Sequence, residues 1–270
     1  MTPGERALVA RLCEQRAGLA VDPARDYLIE SRLAPVARRE GFGSVAELLQ
    51  ALRDREEERL VWAVVEAMAH RDASFFRDPE VFALLRDQVL PTLARQRDGE
   101  PVRVWCAACG SGQEVYSLAM MLADAPIAGT RVELFASELS ERELEKAQGG
   151  LYSQFEVQRG LPARLLVRHF EKRDEAFALS PRVRQMVRWR RANLLEDAAR
   201  LGRFDVVVCR QVLPGLTEAA REQVLAGLSG AVAEGGCLVL GAGEAEAPPG
   251  FGSLGLPGVY GAAEAARAAA

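Results

Sequence analysis

The chain has 270 residues, of which 49% are hydrophobic and 27% charged, with a formal net charge of −4 at pH 7. This composition supplies a core and excludes disorder, no apolar run approaches the roughly 20 residues that span a bilayer, and the charge gives no global indication of nucleic-acid binding. The first residues lack the apolar segment of a secretory signal, so we expect a cytoplasmic protein.

The N-terminal quarter of the chain is predicted to be helical throughout. Apolar residues recur at helical spacing over residues 8–13 and again over residues 27–36. Ser44, followed three residues later by Glu47, forms a capping box that opens a further helix, and residues 60–68 add another apolar stripe. This part of the sequence predicts a small helical bundle.

Beyond Pro101 the pattern changes to strands that alternate with helices. Such alternation indicates βαβ units, and the right-handed crossover rule places helices on both faces of a mostly parallel sheet. The predicted strands are residues 102–108, 131–137, 204–209 and 236–241, and the predicted helices are residues 114–122, 141–148 and 218–232.

A glycine-rich turn, Gly110-Ser-Gly112, follows the first predicted strand and precedes a helix. Glycines let the backbone approach a ligand closely, and a helix N-terminus supplies free N–H groups. Glu138 lies 26 residues beyond Gly112, at the end of the second predicted strand, where an acid is placed to bind ribose hydroxyls. The turn and the acid together predict a nucleoside cofactor, with NAD and S-adenosylmethionine both open.

Residues 159–191, called the basic segment below, contain ten basic residues and three acidic ones, a net charge of +7. A patch of this kind favours an anionic partner. A solvated surface in an arginine-rich chain is the alternative interpretation.

The five cysteines are odd in number and scattered, which argues against a disulfide framework. Cys106 and Cys109 form a C-x-x-C, which we interpret as flanking a strand end. A structural zinc site needs about four ligands, whereas there is no second C-x-x-C, and His70 and His169 stand alone. We expect no metal.

The segments Ser74-Phe-Phe-Arg-Asp78 and Val104-Trp-Cys-Ala-Ala-Cys-Gly-Ser-Gly-Gln-Glu-Val-Tyr-Ser-Leu-Ala-Met120 resemble the chemotaxis-receptor glutamate methyltransferase (CheR) family. Tyr27-Leu-Ile-Glu-Ser-Arg-Leu33 also resembles that family's N-terminal domain, and the resemblance covers roughly residues 15–245. Further matches occur in the family's order at Phe135-Ala-Ser-Glu-Leu-Ser140, residues 147–152, Arg159-Gly-Leu-Pro162, Asn193-Leu-Leu195, residues 204–210 and Gly235-Gly-Cys-Leu-Val-Leu-Gly241.

The resemblance implies an α/β, Rossmann-like S-adenosylmethionine-dependent methyltransferase domain with a small N-terminal all-helical domain. The expected boundaries are residues 1–72 for the helical domain, 73–258 for the methyltransferase domain with a small inserted β-subdomain around 170–190, and 259–270 for a disordered tail. The implied reaction moves a methyl group from S-adenosylmethionine to glutamates on chemoreceptor cytoplasmic helices and leaves S-adenosylhomocysteine. We expect a monomer with no nucleic-acid partner and no membrane insertion.

The resemblance also implies roles for individual residues. Arg77, the one catalytic candidate, would face the cofactor's carboxylate or the acceptor. Glu114 would lie near the cofactor's ammonium, and Glu138, in place of the family's usual aspartate, would hold the ribose. The remaining cofactor-binding candidates are Gly110 and Gly112 in the turn, Asn193 and Leu194 at the adenine, and Arg210 and Gln211 at the methionine side.

The sequence departs from the family near the expected site. The usual Asn and Thr before Phe-Phe-Arg are replaced by Arg71 and Ala73, a pocket asparagine by Gln211, and the tyrosine near the transferred methyl by Gly215. The alternative function is therefore a catalytically impaired, methyltransferase-like regulatory module that binds cofactor or protein partners in a chemosensory pathway. A methyltransferase for another acceptor also stays open, as does a nicotinamide-dependent oxidoreductase, which would not explain the Phe-Phe-Arg motif.

Some family members use the β-subdomain to hold a pentapeptide at the receptor tail. Here the predicted strands, residues 176–179 and 186–189, are joined across Ser180-Pro181. Between His169 and Phe177 there is no room for the glycine-containing loop of the pentapeptide-binding members. We predict a pentapeptide-independent protein that reaches its partner through the helical domain and the basic segment.

Overall fold

The computed structural model describes residues 1–22, 25–55, 57–69, 73–196 and 198–262. The chain divides into two compact units, one formed by Met1–Arg71 with Val212–Val224 and the other by Asp72–Gln211 with Leu225–Ala270. The sequence predicts a helical domain of residues 1–72. The first unit also contains Val212–Val224, which the prediction omits because this segment is distant in sequence.

The first unit is built from helices whose apolar stripes face inward. Thr2 caps the first helix in a capping box with Glu5. The Glu47 amide donates to Ser44 Oγ at 3.2 Å, as the predicted capping box requires. The helical prediction for this region is confirmed. The helices are α1 (Pro3–Ala17), α2 (Asp26–Arg39), α3 (Val45–Arg55) and α4 (Glu58–Met68).

The loop that follows α1 pairs with the distant segment of the first unit. The Ala20 amide donates to the Gly215 carbonyl at 2.9 Å, and the Thr217 amide donates to the Gly18 carbonyl at 2.8 Å. Leu19 and Leu216 form an isolated antiparallel bridge between these hydrogen bonds. Backbone pairing therefore explains why residues 212–224 group with the helices.

The second unit contains the alternating strands and helices that the sequence predicts. In chain order its helices are α5 (Pro79–Leu84), α6 (Leu90–Gln96), α7 (Gln113–Asp124), α8 (Glu141–Gly149), α9 (Gln154–Gln158), α10 (Ala163–His169), α11 (Pro181–Arg184) and α12 (Glu218–Ala231), whose first half belongs to the first unit. Its strands are β1 (Val102–Ala107), β2 (Val132–Glu138), β3 (Leu151–Ser153), β4 (Phe170–Arg173), β5 (Ala176–Leu179), β6 (Val187–Arg191), β7 (Phe204–Cys209), β8 (Val232–Leu240), β9 (Phe251–Ser253) and β10 (Val259–Ala262).

Over the described residues the main sheet has seven strands in the order β6-β2-β1-β7-β8-β10-β9. The first five are parallel, and β10 pairs antiparallel with both β8 and β9. β7 is buried along its whole length, as expected for a strand covered on both faces of a parallel sheet. The α/β prediction is confirmed.

The small β-subdomain differs from the prediction in its pairing. Its described part is a three-stranded sheet ordered β3-β5-β4, so β5 pairs with β3 and β4, whereas β6 joins the main sheet beside β2. The predicted pairing of residues 176–179 with residues 186–189 is wrong. Ser180 and Pro181 begin the short helix α11 instead of a hairpin turn, because proline fits the first position of a helix.

The C-terminal boundary also needs a correction. Residues 259–270 are expected to be a disordered tail, but β10 (Val259–Ala262) forms part of the main sheet. Val259 pairs with Val239 of β8, and both valines are fully buried. This core contact stabilises the strand, and the residue pattern of the segment does not reveal it. Residues 263–270 lie outside the described residues. None of the described helices is long and apolar enough to cross a membrane.

Candidate functional site

The predicted site residues of the second unit come together at one edge of the main sheet. β6, β2, β1 and β7 are adjacent parallel strands, so their carboxyl ends share that edge. Gly110 follows β1, Glu138 ends β2, Asn193 follows β6 and Arg210 follows β7. The strand order reverses between β1 and β7, and ligands of open α/β sheets bind at such a switch point.

The turn after β1 needs glycine for two reasons. Gly110 has φ of 55° and Gly112 has φ of 91°, values that a residue with a side chain rarely adopts. A Cβ placed on Gly112 would also lie 3.1 Å from the Cβ of Ala147 and 3.2 Å from the Tyr116 ring. α7 begins at the next residue, so the free N–H groups of its first turn lie at the same edge.

Glu138 is held by the backbone of both adjacent loops. Its Oε2 accepts from the Gly110 amide at 2.9 Å, and its Oε1 accepts from the Ser140 amide at 3.0 Å. The residue is only 8% exposed. These two hydrogen bonds fix the carboxylate between the ends of β1 and β2.

Arg210 connects β7 to two other segments. Its side chain is 2% exposed, and its Nη1 donates to Glu114 Oε1 at 2.7 Å and to the Arg77 carbonyl at 3.0 Å. Its Nη2 donates to Asp78 Oδ2. Its Nε is buried and has no hydrogen-bond partner among the described residues. These contacts fix the start of α7 and the Phe-Phe-Arg segment against the end of β7.

The Phe-Phe-Arg segment has a strained backbone. Phe76 has φ of 45° and Asp78 has φ of 53°, and neither is a glycine. The Phe76 amide donates to Ser117 Oγ at 3.0 Å, and the Phe75 amide donates to the Arg159 carbonyl at 3.0 Å. A Cβ placed on Gly160 would overlap the Phe75 carbonyl oxygen. The Arg-Gly-Leu-Pro motif therefore packs against the Phe-Phe-Arg segment. Neither sequence motif by itself indicates this contact.

The two charged groups proposed for the methionine end of a cofactor lie near each other. Burial raises the pKa of the Glu114 carboxyl above its usual value, and the Arg210 and Arg77 guanidinium groups oppose this shift. Arg77 Nε donates to Ser74 Oγ at 3.2 Å. At Glu114, the effect of burial on the pKa therefore outweighs that of the two guanidinium groups.

Asn193 lies beside Glu138, because the Ala192 amide donates to the Glu138 carbonyl at 3.0 Å. Asn193 Oδ1 accepts from the Leu195 amide at 3.2 Å, which is an Asx turn. Leu194 is partly exposed. The turn orients these two residues, and their contact with adenine stays a prediction.

Comparison with known proteins shows two matches in chain order. The SAM-binding domain of CheR methyltransferases matches residues 71–247, and the all-alpha domain of CheR methyltransferases matches residues 5–68. Chemotaxis protein methyltransferase 1 of Pseudomonas aeruginosa is 34% identical over 238 residues, which is 86% of either chain. Chemotaxis protein methyltransferase Cher2 of Pseudomonas putida is 32% identical with the same coverage.

The chain belongs to the CheR methyltransferase family. The resemblance found in the sequence is thereby confirmed, together with an S-adenosylmethionine-binding domain and a methyltransferase assignment.

The charges of this CheR site suit a cationic ligand. Four carboxyl groups lie at this site, and such groups favour a cation such as a sulfonium or an ammonium. The glycine turn and the Glu138 carboxylate supply the backbone and ribose contacts that a nucleoside requires. The residues present therefore fit S-adenosylmethionine. The charged set is Asp78, Glu114, Glu138 and Glu244 with Arg77 and Arg210.

The positions that depart from the CheR pattern are distributed over both units. Gln211 lies next to Arg210 with φ of 62°, and Gly215 belongs to the first unit. The Cβ of Ala73 lies 3.9 Å from a Cβ placed on Gly110, beside the glycine turn. Arg71 lies outside the described residues.

Sequence reasoning missed two acidic residues of this site. Asp78 directly follows the Phe-Phe-Arg motif and receives Arg210 Nη2. Glu244 follows β8 and accepts a hydrogen bond from the Gln211 amide. In the sequence, each of these residues is recognisable only as an acid that closely follows a matched motif or a predicted strand. That position does not show which residue the acid contacts.

Cys106, Cys109 and His169, the residues that could be considered as a catalytic base, are buried. Burial raises the pKa values of Cys106 and Cys109 well above their usual value. His169 is 7% exposed, with Nε2 3.0 Å from Asp124 Oδ1. Methyl transfer to a carboxylate requires no such base.

Proposed function

We propose that the protein methylates glutamate side chains on the cytoplasmic helices of chemoreceptors, with S-adenosylmethionine as methyl donor. The observation that supports this most directly is the carboxylate-rich site at the ends of four adjacent strands, in a chain that matches the CheR family over both of its domains. Two relatives of nearly equal length are named chemotaxis protein methyltransferases. A cytoplasmic location and a monomeric state are part of the proposal.

The chemistry needs alignment more than proton transfer. A glutamate carboxyl has a pKa of about 4.3 and is ionised at neutral pH, so it attacks without a base. When bound, S-adenosylmethionine supplies an activated methyl group: a carboxylate oxygen forms the new O–C bond, the S–C electron pair stays on sulfur, and the products are a methyl ester and S-adenosylhomocysteine.

The chain's residues hold and orient the reactants. Glu138 would bind the ribose hydroxyls, and Asn193 with Leu194 would contact the adenine. Glu114 would compensate the ammonium, and Arg77 would face the cofactor carboxylate or the acceptor. A bound cofactor would exclude water from these groups, which would strengthen their electrostatic interactions.

The β4–β5 hairpin supports pentapeptide-independent recognition. β4 ends at Arg173 and β5 begins at Ala176, so the turn consists of Asp174 and Glu175. A two-residue turn has no extra loop with which to hold a receptor tail. We propose that the helical domain and the basic segment bind the receptor, whose glutamate-bearing helices provide the anionic surface.

A regulatory module is the second candidate function. Gly215 occupies the place of the family's tyrosine and lines a cleft of about 170 Å³ within the first unit, together with Leu28, Ile29 and Met68. A missing ring and hydroxyl would loosen alignment at the transfer step. The protein would then bind cofactor or partners without efficient turnover.

Two measurements on the purified protein separate these functions. Calorimetry with S-adenosylmethionine and S-adenosylhomocysteine tests binding, and incorporation of radiolabelled methyl groups into base-labile esters of receptor fragments tests transfer. We expect binding and slow transfer. Binding without transfer to any fragment would favour the regulatory module. Absence of binding would contradict the enzymatic function and leave only a regulatory module that binds protein partners.

A further inference from the structure

We propose that Glu244 is a positioning residue of the cofactor site, which holds the backbone of Gln211 in the left-handed region and thereby fixes the end of β7. This inference rests on the proposed cofactor-dependent function, because it concerns the same site. It adds a residue outside the predicted set.

Gln211 has a backbone conformation that its side chain disfavours. Its φ is 62°, a region in which the Cβ of an L-residue crowds its own carbonyl oxygen. A non-glycine residue stays there only where its surroundings hold it. Because Arg210 precedes Gln211 directly, the same backbone geometry orients the guanidinium that contacts Glu114 and Asp78.

Glu244 supplies the contact that holds this conformation. Its Oε1 accepts from the Gln211 amide, and the residue is 8% exposed. A carboxylate acceptor makes a stronger hydrogen bond with a backbone amide than a neutral acceptor makes. The charge also has a cost, because Glu244 contributes to the raised pKa of the Glu114 carboxyl.

The loop after β8 is shaped to bring this carboxylate to β7. β7 and β8 are parallel neighbours with Cys209 opposite Leu240, so Arg210 and Gly241 leave the sheet side by side and Gln211 follows directly. The Glu244 amide donates to the Gly241 carbonyl at 3.1 Å and closes a tight turn. A Cβ placed on Gly241 would overlap the Glu244 carboxylate, so the glycine leaves the space that the side chain occupies.

The binding test uses isothermal calorimetry with S-adenosylhomocysteine on the full chain. We expect Glu244→Ala to weaken binding about 10-fold, because it leaves a partly buried amide without its acceptor. Glu244→Gln keeps an acceptor oxygen and should stay within about 3-fold of wild type. Wild-type affinity in Glu244→Ala would overturn the proposal.

A matched control is available at the opposite end of β7. Asp205 is also a buried carboxylate that accepts a backbone amide, from Arg103 at 2.7 Å. Asp205→Ala should lower thermal stability at least as much as Glu244→Ala but leave S-adenosylhomocysteine affinity unchanged. Equal losses of affinity in the two variants would reduce Glu244 to a general structural residue.

Amide hydrogen exchange at Gln211, followed by NMR, tests the inference without a ligand. The amide should be protected in wild type and Glu244→Gln and should exchange at least 10-fold faster in Glu244→Ala, because an amide exchanges when its hydrogen bond opens. If wild type binds no cofactor, the proposed function fails while this readout still decides the role of Glu244. Unprotected Gln211 in wild type would overturn the inference, even if Glu244→Ala does not fold.

Discussion

The two sides of the candidate site are built in different ways. On the β1–β2 side, Glu138 accepts backbone amides from loops that directly follow the two strands. On the β7 side, Arg210 and Gln211 depend on Asp78, Glu114 and Glu244, which come from three separate parts of the chain.

This difference predicts which side of the site is more sensitive to substitution. The β1–β2 side consists of a glycine turn and an acid whose geometry follows from strand ends. The β7 side combines a strained residue with a buried charge network, so one substitution affects several partners. The departures Gln211 and Gly215 occur at or just after the end of β7.

Arg210→Met should have the largest effect. It removes a buried cation and leaves the partly exposed Glu114 and Asp78 without their common partner; the loss should approach the lower end of the roughly 3–5 kcal/mol that breaking a fully buried pair costs. Arg210→Lys should not retain wild-type affinity and stability, because a lysine ammonium cannot reproduce the planar, multidentate hydrogen bonding of the guanidinium. Calorimetry with S-adenosylhomocysteine and thermal unfolding measure the two losses.

The control for this prediction is Arg203→Met, which removes an arginine that donates to the Val232 carbonyl at 2.9 Å just before β7. It should leave cofactor affinity unchanged. Wild-type affinity in Arg210→Met would show that the β7 side is not the sensitive one.

Gly215→Tyr with Gln211→Asn should raise methyl transfer if the pocket is too open. A misplacement of about 1 Å at a transfer site costs on the order of 100-fold in rate, so we expect a gain of up to that size. The readout is radiolabelled methyl in base-labile esters of a receptor fragment.

A negative result with this revertant is decisive only after Arg71→Asn is added, because Arg71 replaces an asparagine that the family resemblance assigns to the cofactor site. If wild type and the completed revertant both bind cofactor and transfer nothing, the regulatory function replaces the enzymatic one.

Glu138→Ala should weaken S-adenosylhomocysteine binding by about 1.5–3 kcal/mol, because two ribose hydroxyls lose a charged acceptor. Glu138→Asp, which restores the family's usual residue, is the matched control and should retain most of the affinity. Unchanged affinity in Glu138→Ala would remove Glu138 from the ribose site and leave it as a loop-fixing residue.

Cofactor affinity should increase with pH through the titration of Glu114. Burial and Glu244 raise the pKa of Glu114 above its usual 4.5, while Arg210 and Arg77 oppose the shift. The carboxylate that attracts an ammonium is therefore lost as pH falls through this raised value. Calorimetric titrations with S-adenosylhomocysteine from pH 5 upward should show the trend, and Glu114→Gln should flatten it; an identical pH profile in that variant would assign the titration elsewhere.

The smallest effect is expected at Glu156, which forms a capping box with Ser153 at the start of α9 and contacts Lys146. Glu156→Ala should lower stability by about 1 kcal/mol with no change in cofactor affinity. Lys146 and the Ser153 hydrogen bonds lower the pKa of Glu156 despite its partial burial. Its stabilisation is thus present above the unfolded-state pKa and lost as pH falls through the lowered one. Urea unfolding at pH 7 and pH 3 measures both terms, and an equal deficit at the two pH values would contradict the assignment.

The sequence by itself determined the features that are local in the chain. Helical spacing predicted the bundle, and alternating strands and helices predicted the α/β domain. Gly110, Gly112 and Glu138 could be identified because a turn and a strand end fix their neighbours within a few residues. The CheR resemblance then named the cofactor that residue spacing left open.

Only the tertiary structure decided which distant segments meet. It paired β6 with β2 instead of β5, and it placed β10 in the main sheet. It also joined Arg210 to Asp78 and Gln211 to Glu244. The physical reason is that strand pairing and buried charge contacts depend on burial shared between remote segments, whereas a sequence pattern records only the preferences of each segment.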